Sequence, residues 1–475
     1  MNRFVRTSVS IAATEIGLMV VALLRNKYLA VKIGPEGLGL YGLLSSFFNV
    51  AAVFSGTWLA IGATKYTAQF QKENDIASIR RVRGLTASLA ILVSIVTIAI
   101  LFVGRDFVIK YFLTPEISSL YYLLFLGALF GISLRPILTG ILQGLMEVRK
   151  VVVSRISISL FEVLSIFAMT YFWGLTGFFV SILVSSLFAA FFLWGQIGRL
   201  LGTFSFPKFD RDQLLNNLLK FGGVAFLLGF VNLASQYCQR IIVVQVMDVK
   251  SVGLFQAGVT LMGYLGIFNR GSDFYLLPKM SETMHKEARC EEINRYLFVT
   301  MAANISISVI AILFGKELIR FLYSSDFLAL SSVFYLFVFG GVFTVLGAAL
   351  QTVVVGMAKL RLHTIFTITI HGIWILVPLI LAGRFGIGAL GLSFIIGGVF
   401  TLLSYGWLLT REIGFKPSKN LVLFSVVGFL FLTGMVLVKD VELLIRVLIV
   451  GITIFVGATA LRNVKELKFL KDSLS

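Results

Sequence analysis

Cysteine, histidine and charged residues are scarce in this sequence. Its 475 residues include two cysteines and three histidines, and charged residues make up 13% of the chain. The histidines have no metal-like spacing, and no GxxxxGK(S/T), HExxH or CxxC pattern occurs, which argues against an ATP-driven motor and zinc chemistry. We therefore expect no bound cofactor, no metal ion and no catalytic residue.

Apolar residues dominate instead. Hydrophobic residues make up 58% of the chain, 45 of them are Phe, and the mean hydropathy is +0.95. A soluble core could not bury this much apolar surface, so the sequence predicts a polytopic membrane protein. About 14 apolar windows are long enough to cross a bilayer as helices. They are 8–31, 38–63, 84–103, 118–142, 152–172, 175–198, 221–246, 252–277, 297–314, 328–356, 363–382, 387–409, 421–438 and 443–461.

Basic residues outnumber acidic ones by 41 to 23, which gives a net charge of +18. Most of them lie in the N-terminus, in alternate loops and in the C-terminal tail, as cytoplasmic segments require. This distribution predicts that both termini are cytoplasmic, and it explains the charge without a nucleic-acid partner. The same topology places Cys238 and Cys290 on opposite sides or at different depths, so we expect no disulfide bond.

The stretch GPEGLGLYG, residues 34–42, contains the GxGxxG spacing of a dinucleotide-binding turn. That fingerprint requires a strand before the glycines and a helix after them. Here both flanks are predicted membrane spans, and a second GxGxxG match at 386–391 also lies between two spans. The pattern therefore predicts a tight turn between spans and no nucleotide site.

The sequence also repeats itself. GLYGLL from Gly39 aligns with GLFQAG from Gly253, and the turn at Gly174 aligns with the turn at Gly386. These matches indicate an internal duplication in which six spans are followed by six more. Because six is even, the repeats enter the membrane from the same side, as in transporters that bind substrate between parallel repeats.

The duplication predicts the domain organisation. We expect an N-terminal six-helix lobe, a cytoplasmic linker, a C-terminal six-helix lobe, and a segment with two additional helices and a cytoplasmic tail. We expect the last two helices to be a peripheral addition, and a groove for a lipid tail is the alternative. The predicted boundaries are 1–198, 199–220, 221–411 and 412–475.

Five basic residues fall inside predicted spans when Arg155 and Arg446, each at the edge of a window, are assigned to the adjoining loops: Arg25, Lys27, Arg135, Arg240 and Arg270. Each would cost roughly 2.5–3.5 kcal/mol against lipid at mid-bilayer, so each is expected to face a bundle interior or a watery cavity. Arg25 and Arg240 occupy near-equivalent positions in the first span of each repeat. Two guanidiniums across a cleft would suit phosphate. The alternative is that they pair with carboxylates or extend to the surface.

The other three cations also have alternative readings. Arg270 and Asp273 are three residues apart on one helix, which favours a structural ion pair. Arg135 precedes Pro136, so the helix kink is an alternative explanation for this dipeptide. Lys27 could instead reach the outer interface.

Three acidic residues, Glu15, Glu162 and Asp273, lie within spans. A carboxyl group in the membrane is a candidate proton carrier, so these residues are the candidates for proton coupling. A neutral, hydrogen-bonded glutamate is the alternative for Glu15 and Glu162.

Three stretches resemble a known family. They are GPEGLGLYGLL after a first span containing Arg25, GATKYTAQF at the end of the second span, and YLLPKMSE at the end of the eighth. Together they resemble the Wzx-type polysaccharide flippases (O-antigen or enterobacterial common antigen) of the multidrug/oligosaccharidyl-lipid/polysaccharide exporter superfamily. The resemblance covers roughly residues 1–411. It implies an all-α polytopic protein of the bacterial inner membrane, with two parallel six-helix repeats in a V-shaped exporter core. Some members have twelve spans, so the two extra C-terminal helices depart from them.

The resemblance also implies a function. Such a protein moves an undecaprenyl-pyrophosphate-linked oligosaccharide, an O-antigen or related repeat unit, from the cytoplasmic to the periplasmic leaflet by alternating access. Arg25 and Arg240 would receive the pyrophosphate, with Arg135, Arg270 and Lys27 as secondary candidates. We expect coupling to the membrane potential or a cation gradient, and the polysaccharide polymerase machinery as a further partner. The alternative is a multidrug or small-solute antiporter of the same fold, which the excess of basic over acidic residues in the spans disfavours.

Overall fold

Helices make up every regular element that the computed structural model describes. The described residues are 3–204, 213–266, 276, 279–280, 285–357, 359–442 and 445–451, with side chains from residue 17 onward. The chain divides into two compact units, Met1–Gly253 and Leu254–Ser475. The predicted domain boundaries follow the sequence repeat and stay a prediction.

The described part of the first unit contains seven helices and the start of an eighth. A π-helical turn, Val53–Thr57, joins the first helix to the second. The helices are α1 (Arg3–Ala52), α2 (Leu59–Lys72), α3 (Ile76–Val103), α4 (Arg105–Phe112), α5 (Ser119–Gly144), α6 (Val148–Leu201), α7 (Gln213–Val246) and α8 (Val249–Leu265).

The second unit contains the rest of α8, six further helices and a helical segment at 445–451 among its described residues. A 3-10 helix, Ser325–Ser332, separates the second of these six from the third. The helices are α9 (Lys286–Leu313), α10 (Gly315–Leu322), α11 (Phe334–Gly356), α12 (Leu360–Phe385), α13 (Gly388–Ile413) and α14 (Lys419–Leu437).

The described helices agree with the prediction of about 14 spans. Within the described ranges, ten stretches are long and apolar enough to cross a membrane. Two of them, Gly17–Lys72 and Val148–Leu201, are 56 and 54 residues long. At about 1.5 Å per residue, each exceeds twice the ~30 Å hydrocarbon core and supplies two spans. The predicted spans 252–277 and 443–461 extend beyond the described residues.

Glycines with positive φ mark the predicted turns inside these long helical stretches. Gly34 has φ 65° and ψ −174°, and Gly174 has φ 56° and ψ −133°. Side chains disfavour this region of backbone space, so glycine permits the break there. The GPEGLGLYG stretch is thus a helix break, as predicted.

The internal duplication appears in the backbone of each unit taken by itself. Gly386 follows α12 with φ 54° and ψ −137°, nearly the values of its sequence partner Gly174. Likewise, α6 ends at Gly202 and α13 ends at Gly414, both with positive φ. The repeated sequence therefore encodes the same helix ends twice.

Two repeat-related glycines meet within the first unit. A Cβ atom built at Gly253 would overlap the carbonyl oxygen of Pro35 and lie 3.1 Å from the amide nitrogen of Gly39. A Cβ atom built at Gly39 would overlap the carbonyl oxygen of Val249. The start of α8 therefore crosses α1 with backbone against backbone, which requires glycine on both sides.

Helix α14 packs on one side of the second unit. α14 contacts α9, where Phe424 lies 5.0 Å from Phe298 between ring centroids. An apolar cavity of about 420 Å³ lies among α11, α13 and α14, and Leu350, Trp407 and Phe429 are among its lining residues. This cavity is compatible with the alternative of a lipid-tail groove, whereas the one-sided packing fits a peripheral addition.

The N-terminus of α3 depends on one carboxylate. The Asp75 side chain accepts hydrogen bonds from the Ser78 hydroxyl and from the Ser78 amide at 3.0 Å. These bonds hold the pKa of Asp75 below its usual value of 3.8. The cap is therefore fully formed above about pH 4 and is lost as the pH falls through the lowered pKa.

We expect Asp75→Ala to fray the first turn of α3, because the Ser78 amide loses its acceptor. Faster amide hydrogen exchange at residues 76–79 at neutral pH would show this change. Asp75→Asn, which keeps an acceptor, is the control and should exchange almost as slowly as the native protein. Equal exchange in native and Ala proteins would contradict a capping role.

Candidate functional site

A polar cavity of about 520 Å³ lies among α1, α5 and α6 of the first unit. Its walls combine apolar side chains with two arginines and a glutamate, an unusual group inside predicted membrane spans. The polar and kink-forming lining residues are Arg135, Pro136, Thr139, Ser154, Arg155, Ser159 and Glu162. Helices α5 and α6 thus bring charged groups to one place.

An ion pair borders this cavity. Arg25 Nη1 of α1 lies 2.5 Å from Glu162 Oε1 of α6. The side chains are 30% and 28% exposed, so both charges remain accessible to an ionic ligand. The sequence identified both residues, and the alternative of a carboxylate partner for Arg25 is the arrangement observed.

Arg135 is exposed on the cavity wall, next to Pro136. Proline has no amide hydrogen, so the carbonyl of Ile132 lacks its usual helical donor. The Thr139 hydroxyl donates to the Arg135 carbonyl at 2.8 Å and stabilises the next turn. Among the described residues, the Arg135 guanidinium forms no ion pair. The proline kink and a cationic cavity wall therefore occur together. The interpretation of Arg135 as a cavity cation is compatible with the interpretation of the dipeptide as a helix kink.

Arg155 is a cavity residue that sequence reasoning missed. It lies at the start of the predicted span 152–172, beside Arg149 and Lys150, where a basic residue is easily attributed to membrane topology. A signal was nevertheless present, because Arg155 and Glu162 are seven residues apart and share one face of a helix. Both side chains line the cavity.

Arg240 lies elsewhere in the first unit. Its side chain is buried on α7, and its Nη1 donates to the Gln236 carbonyl at 2.8 Å. Tyr41 of α1 is close enough to interact electrostatically with Arg25, Glu162 and Arg240. Arg25 and Arg240 therefore both lie within electrostatic range of one tyrosine, although Arg240 does not line the cavity described above.

The remaining candidates contribute less to the described site. Lys27 is half-buried on α1, two residues after Arg25. The side chain of Glu15, and Arg270 and Asp273 entirely, lie outside the described residues. The roles of these residues stay predictions.

The charges favour an anion. Among the described side chains, three guanidiniums, those of Arg25, Arg135 and Arg155, line or border the cavity together with one carboxylate, that of Glu162. Guanidinium groups bind phosphate oxygens through paired, charge-assisted hydrogen bonds. A low-dielectric surrounding strengthens such bonds. The site can therefore hold a phosphate-type anion on its polar side.

Comparison with known proteins agrees with this architecture. Residues 29–332 match the family described as polysaccharide biosynthesis protein. The chain is 26% identical to the lipid III flippase of Escherichia coli (strain K12) over 365 residues, covering 75% of this chain and 86% of the relative.

Solved structures share the fold. The lipid II flippase MurJ in its inward closed conformation has a TM-score of 0.78 and 15% identity, covering 98% of this chain and 100% of that one. An inward-facing multidrug resistance MATE family transporter of the MOP superfamily has a TM-score of 0.65 and 15% identity, covering 83% and 96%. The all-α exporter architecture predicted from the sequence is confirmed.

The family match spans more than half of the chain, and the relatives named above are two flippases and a multidrug resistance transporter. The predicted relationship to polysaccharide exporters is thereby confirmed. The protein is a multi-pass membrane protein and belongs to the polysaccharide biosynthesis protein family.

Proposed function

We propose that this transporter flips a lipid-linked oligosaccharide from one leaflet of the membrane to the other. The observation that carries the proposal is the arginine-lined cavity of the first unit, which supplies cations for a phosphate-containing headgroup. The relative named as a lipid III flippase supports the same class of substrate. The lipid tail can remain in the bilayer, so only the headgroup needs a polar path.

The finer proposal concerns the substrate and its direction. The substrate is an undecaprenyl-pyrophosphate-linked O-antigen or related repeat unit, moved from the cytoplasmic to the periplasmic leaflet of the bacterial inner membrane by alternating access. Both termini are cytoplasmic in this proposal, and the polysaccharide polymerase machinery uses the product. The resemblance of GPEGLGLYGLL, GATKYTAQF and YLLPKMSE to polysaccharide flippases supports this choice.

The membrane potential is the proposed driving force. A pyrophosphate with about two negative charges gains about 4–5 kcal/mol per 100 mV when it moves outward across an inside-negative membrane. An excess of arginine in the cavity suits this anion. A drug antiporter with cationic substrates would instead favour acidic cavity residues.

We expect the purified protein in proteoliposomes to move an undecaprenyl-pyrophosphate-linked oligosaccharide between leaflets, because the cavity shields the headgroup from lipid. A radiolabelled headgroup that becomes accessible to an added hydrolase measures this movement. An imposed potassium diffusion potential should accelerate transport toward the positive side.

Protein-free vesicles and a neutral lipid-linked sugar without pyrophosphate are the controls. Absence of movement for every lipid-linked glycan, together with uptake of a cationic dye, would favour the antiporter. If the protein moves another repeat unit but not O-antigen, the proposal of a flippase stands and the proposed substrate is wrong.

A further inference from the structure

We propose that Glu162 is a resident counter-ion that the pyrophosphate of the substrate displaces from Arg25. The inference rests on the proposed function, since it concerns how the same cavity admits and releases an anionic headgroup. Glu162 would then determine how tightly the site holds its ligand. It would do so through charge and not through contact with the sugar.

The first argument is the position of the pair. Glu162 lines the cavity and accepts from Arg25 at 2.5 Å, so the carboxylate occupies a place where an anionic oxygen would bind the guanidinium. Neither side chain is fully buried, which leaves a path for exchange. A phosphate oxygen offers the same acceptor chemistry to Arg25 as the carboxylate does.

The second argument is that the pair can open without separating the helices. About one turn further along both helices, the Tyr28 hydroxyl of α1 donates to the Phe167 carbonyl of α6 at 3.0 Å. The two rings also lie 4.4 Å apart between centroids. This neighbouring contact holds α1 against α6 while Arg25 changes its partner.

The third argument is the charge balance. Among the described residues, Glu162 supplies the carboxylate that lines this arginine-containing cavity, so its ionised form lowers the positive charge that a pyrophosphate meets. Without Glu162 the site would hold the headgroup more tightly and release it more slowly. A transporter requires release as much as binding, because tight binding to one state slows turnover.

The test is binding of farnesyl pyrophosphate to the full chain in detergent, measured by calorimetry. We expect Glu162→Gln to tighten binding about 10-fold, because a negative charge near the ligand is removed while the shape is kept. Arg25→Ala should weaken binding. The turnover of oligosaccharide flipping should fall in Glu162→Gln, since release becomes slower.

Two controls isolate the effect. Glu147→Gln makes the same chemical change at the start of α6, where Glu147 pairs with Lys150 at 3.5 Å outside the cavity, and should leave affinity unchanged. Farnesol, which has the tail but no pyrophosphate, should not distinguish Glu162→Gln from the native protein. A difference with farnesol would assign the effect to the tail and overturn the proposal.

If the carboxylate competes with the ligand, Glu162→Gln and Arg25→Ala change the binding affinity in opposite directions. Weaker binding in both variants would mean that the pair only supports structure, and unchanged affinity in Glu162→Gln would also overturn the proposal. Affinity could rise in Glu162→Gln and fall in Arg25→Ala while the protein flips no lipid-linked glycan. That result would support the counter-ion role of Glu162 and overturn the proposed function. No binding to any variant would overturn the counter-ion role.

Discussion

Gly253→Ala is expected to destabilise the protein by about 3 kcal/mol, the upper end of typical overpacking costs. The added methyl group would overlap the carbonyl oxygen of Pro35, which belongs to the backbone and cannot rotate away as a side chain could. The first helix would have to move off α8. The midpoint of thermal unfolding in detergent measures the effect.

The chain offers a matched control on the same helix. At Gly263 of α8, an added Cβ would meet no heavy atom of the described residues within 4 Å outside its own helix backbone, so Gly263→Ala should be neutral or slightly stabilising. Gly39→Ala should reproduce the loss seen for Gly253→Ala, because its Cβ would overlap the Val249 carbonyl. Native-like unfolding of Gly253→Ala would show that the two backbones are not in contact.

Arg25→Ala is expected to reduce flipping of a pyrophosphate-linked oligosaccharide by about 10- to 100-fold. Hydrogen bonds to a charged group contribute about 1.5–3 kcal/mol each, and one lost bond accounts for this range. The substitution also leaves the Glu162 carboxylate without its 2.5 Å partner beside the cavity, where it repels an anionic headgroup. Both effects act in the same direction.

The double variant Arg25→Ala/Glu162→Gln separates the two effects. It should recover part of the lost transport, because the repulsion is removed while the missing guanidinium is not replaced. Arg105→Ala removes an arginine that pairs with Asp106 outside the spans, and should transport normally. Normal flipping by Arg25→Ala in folded protein would restrict this arginine to a structural role.

Arg240 should respond differently from Arg25. It is buried and donates to the carbonyl of Gln236 on its own helix, so Arg240→Ala removes packing as well as charge. A lower unfolding temperature is therefore expected alongside any loss of transport. Comparing transport by Arg25→Ala and Arg240→Ala at the same amount of folded protein separates a loss of substrate binding from a loss of stability.

The helices and turns were largely predictable because each depends on residues that are close together in the sequence. Hydropathy alone located the spans, since a helix of about 20 apolar residues is what a bilayer requires. The alignment of Gly174 with Gly386 correctly indicated matching turns, and their φ values differ by only a few degrees. A glycine required for positive φ is visible in the sequence without any knowledge of packing.

The pairing of charges was less predictable. Arg25 and Glu162 were both recognised as unusual, but they are separated by 137 residues, and no spacing rule relates them. Arg155 was missed because its neighbours Arg149 and Lys150 suggest a topology signal. Its seven-residue spacing from Glu162 places both on one helical face, but only the packing of α5 and α6 shows that this face borders a cavity.

The sequence by itself determined the membrane-spanning helices, the internal repeat and an excess of cations within the spans, because each depends on nearby residues or on direct self-comparison. The tertiary structure alone decided which of those cations share a cavity and which carboxylate faces them. The attraction between an arginine and a carboxylate falls steeply over a few ångströms, and the distance between the two groups depends on how the helices pack. The packing of α1 against α6 is what places Glu162 next to Arg25.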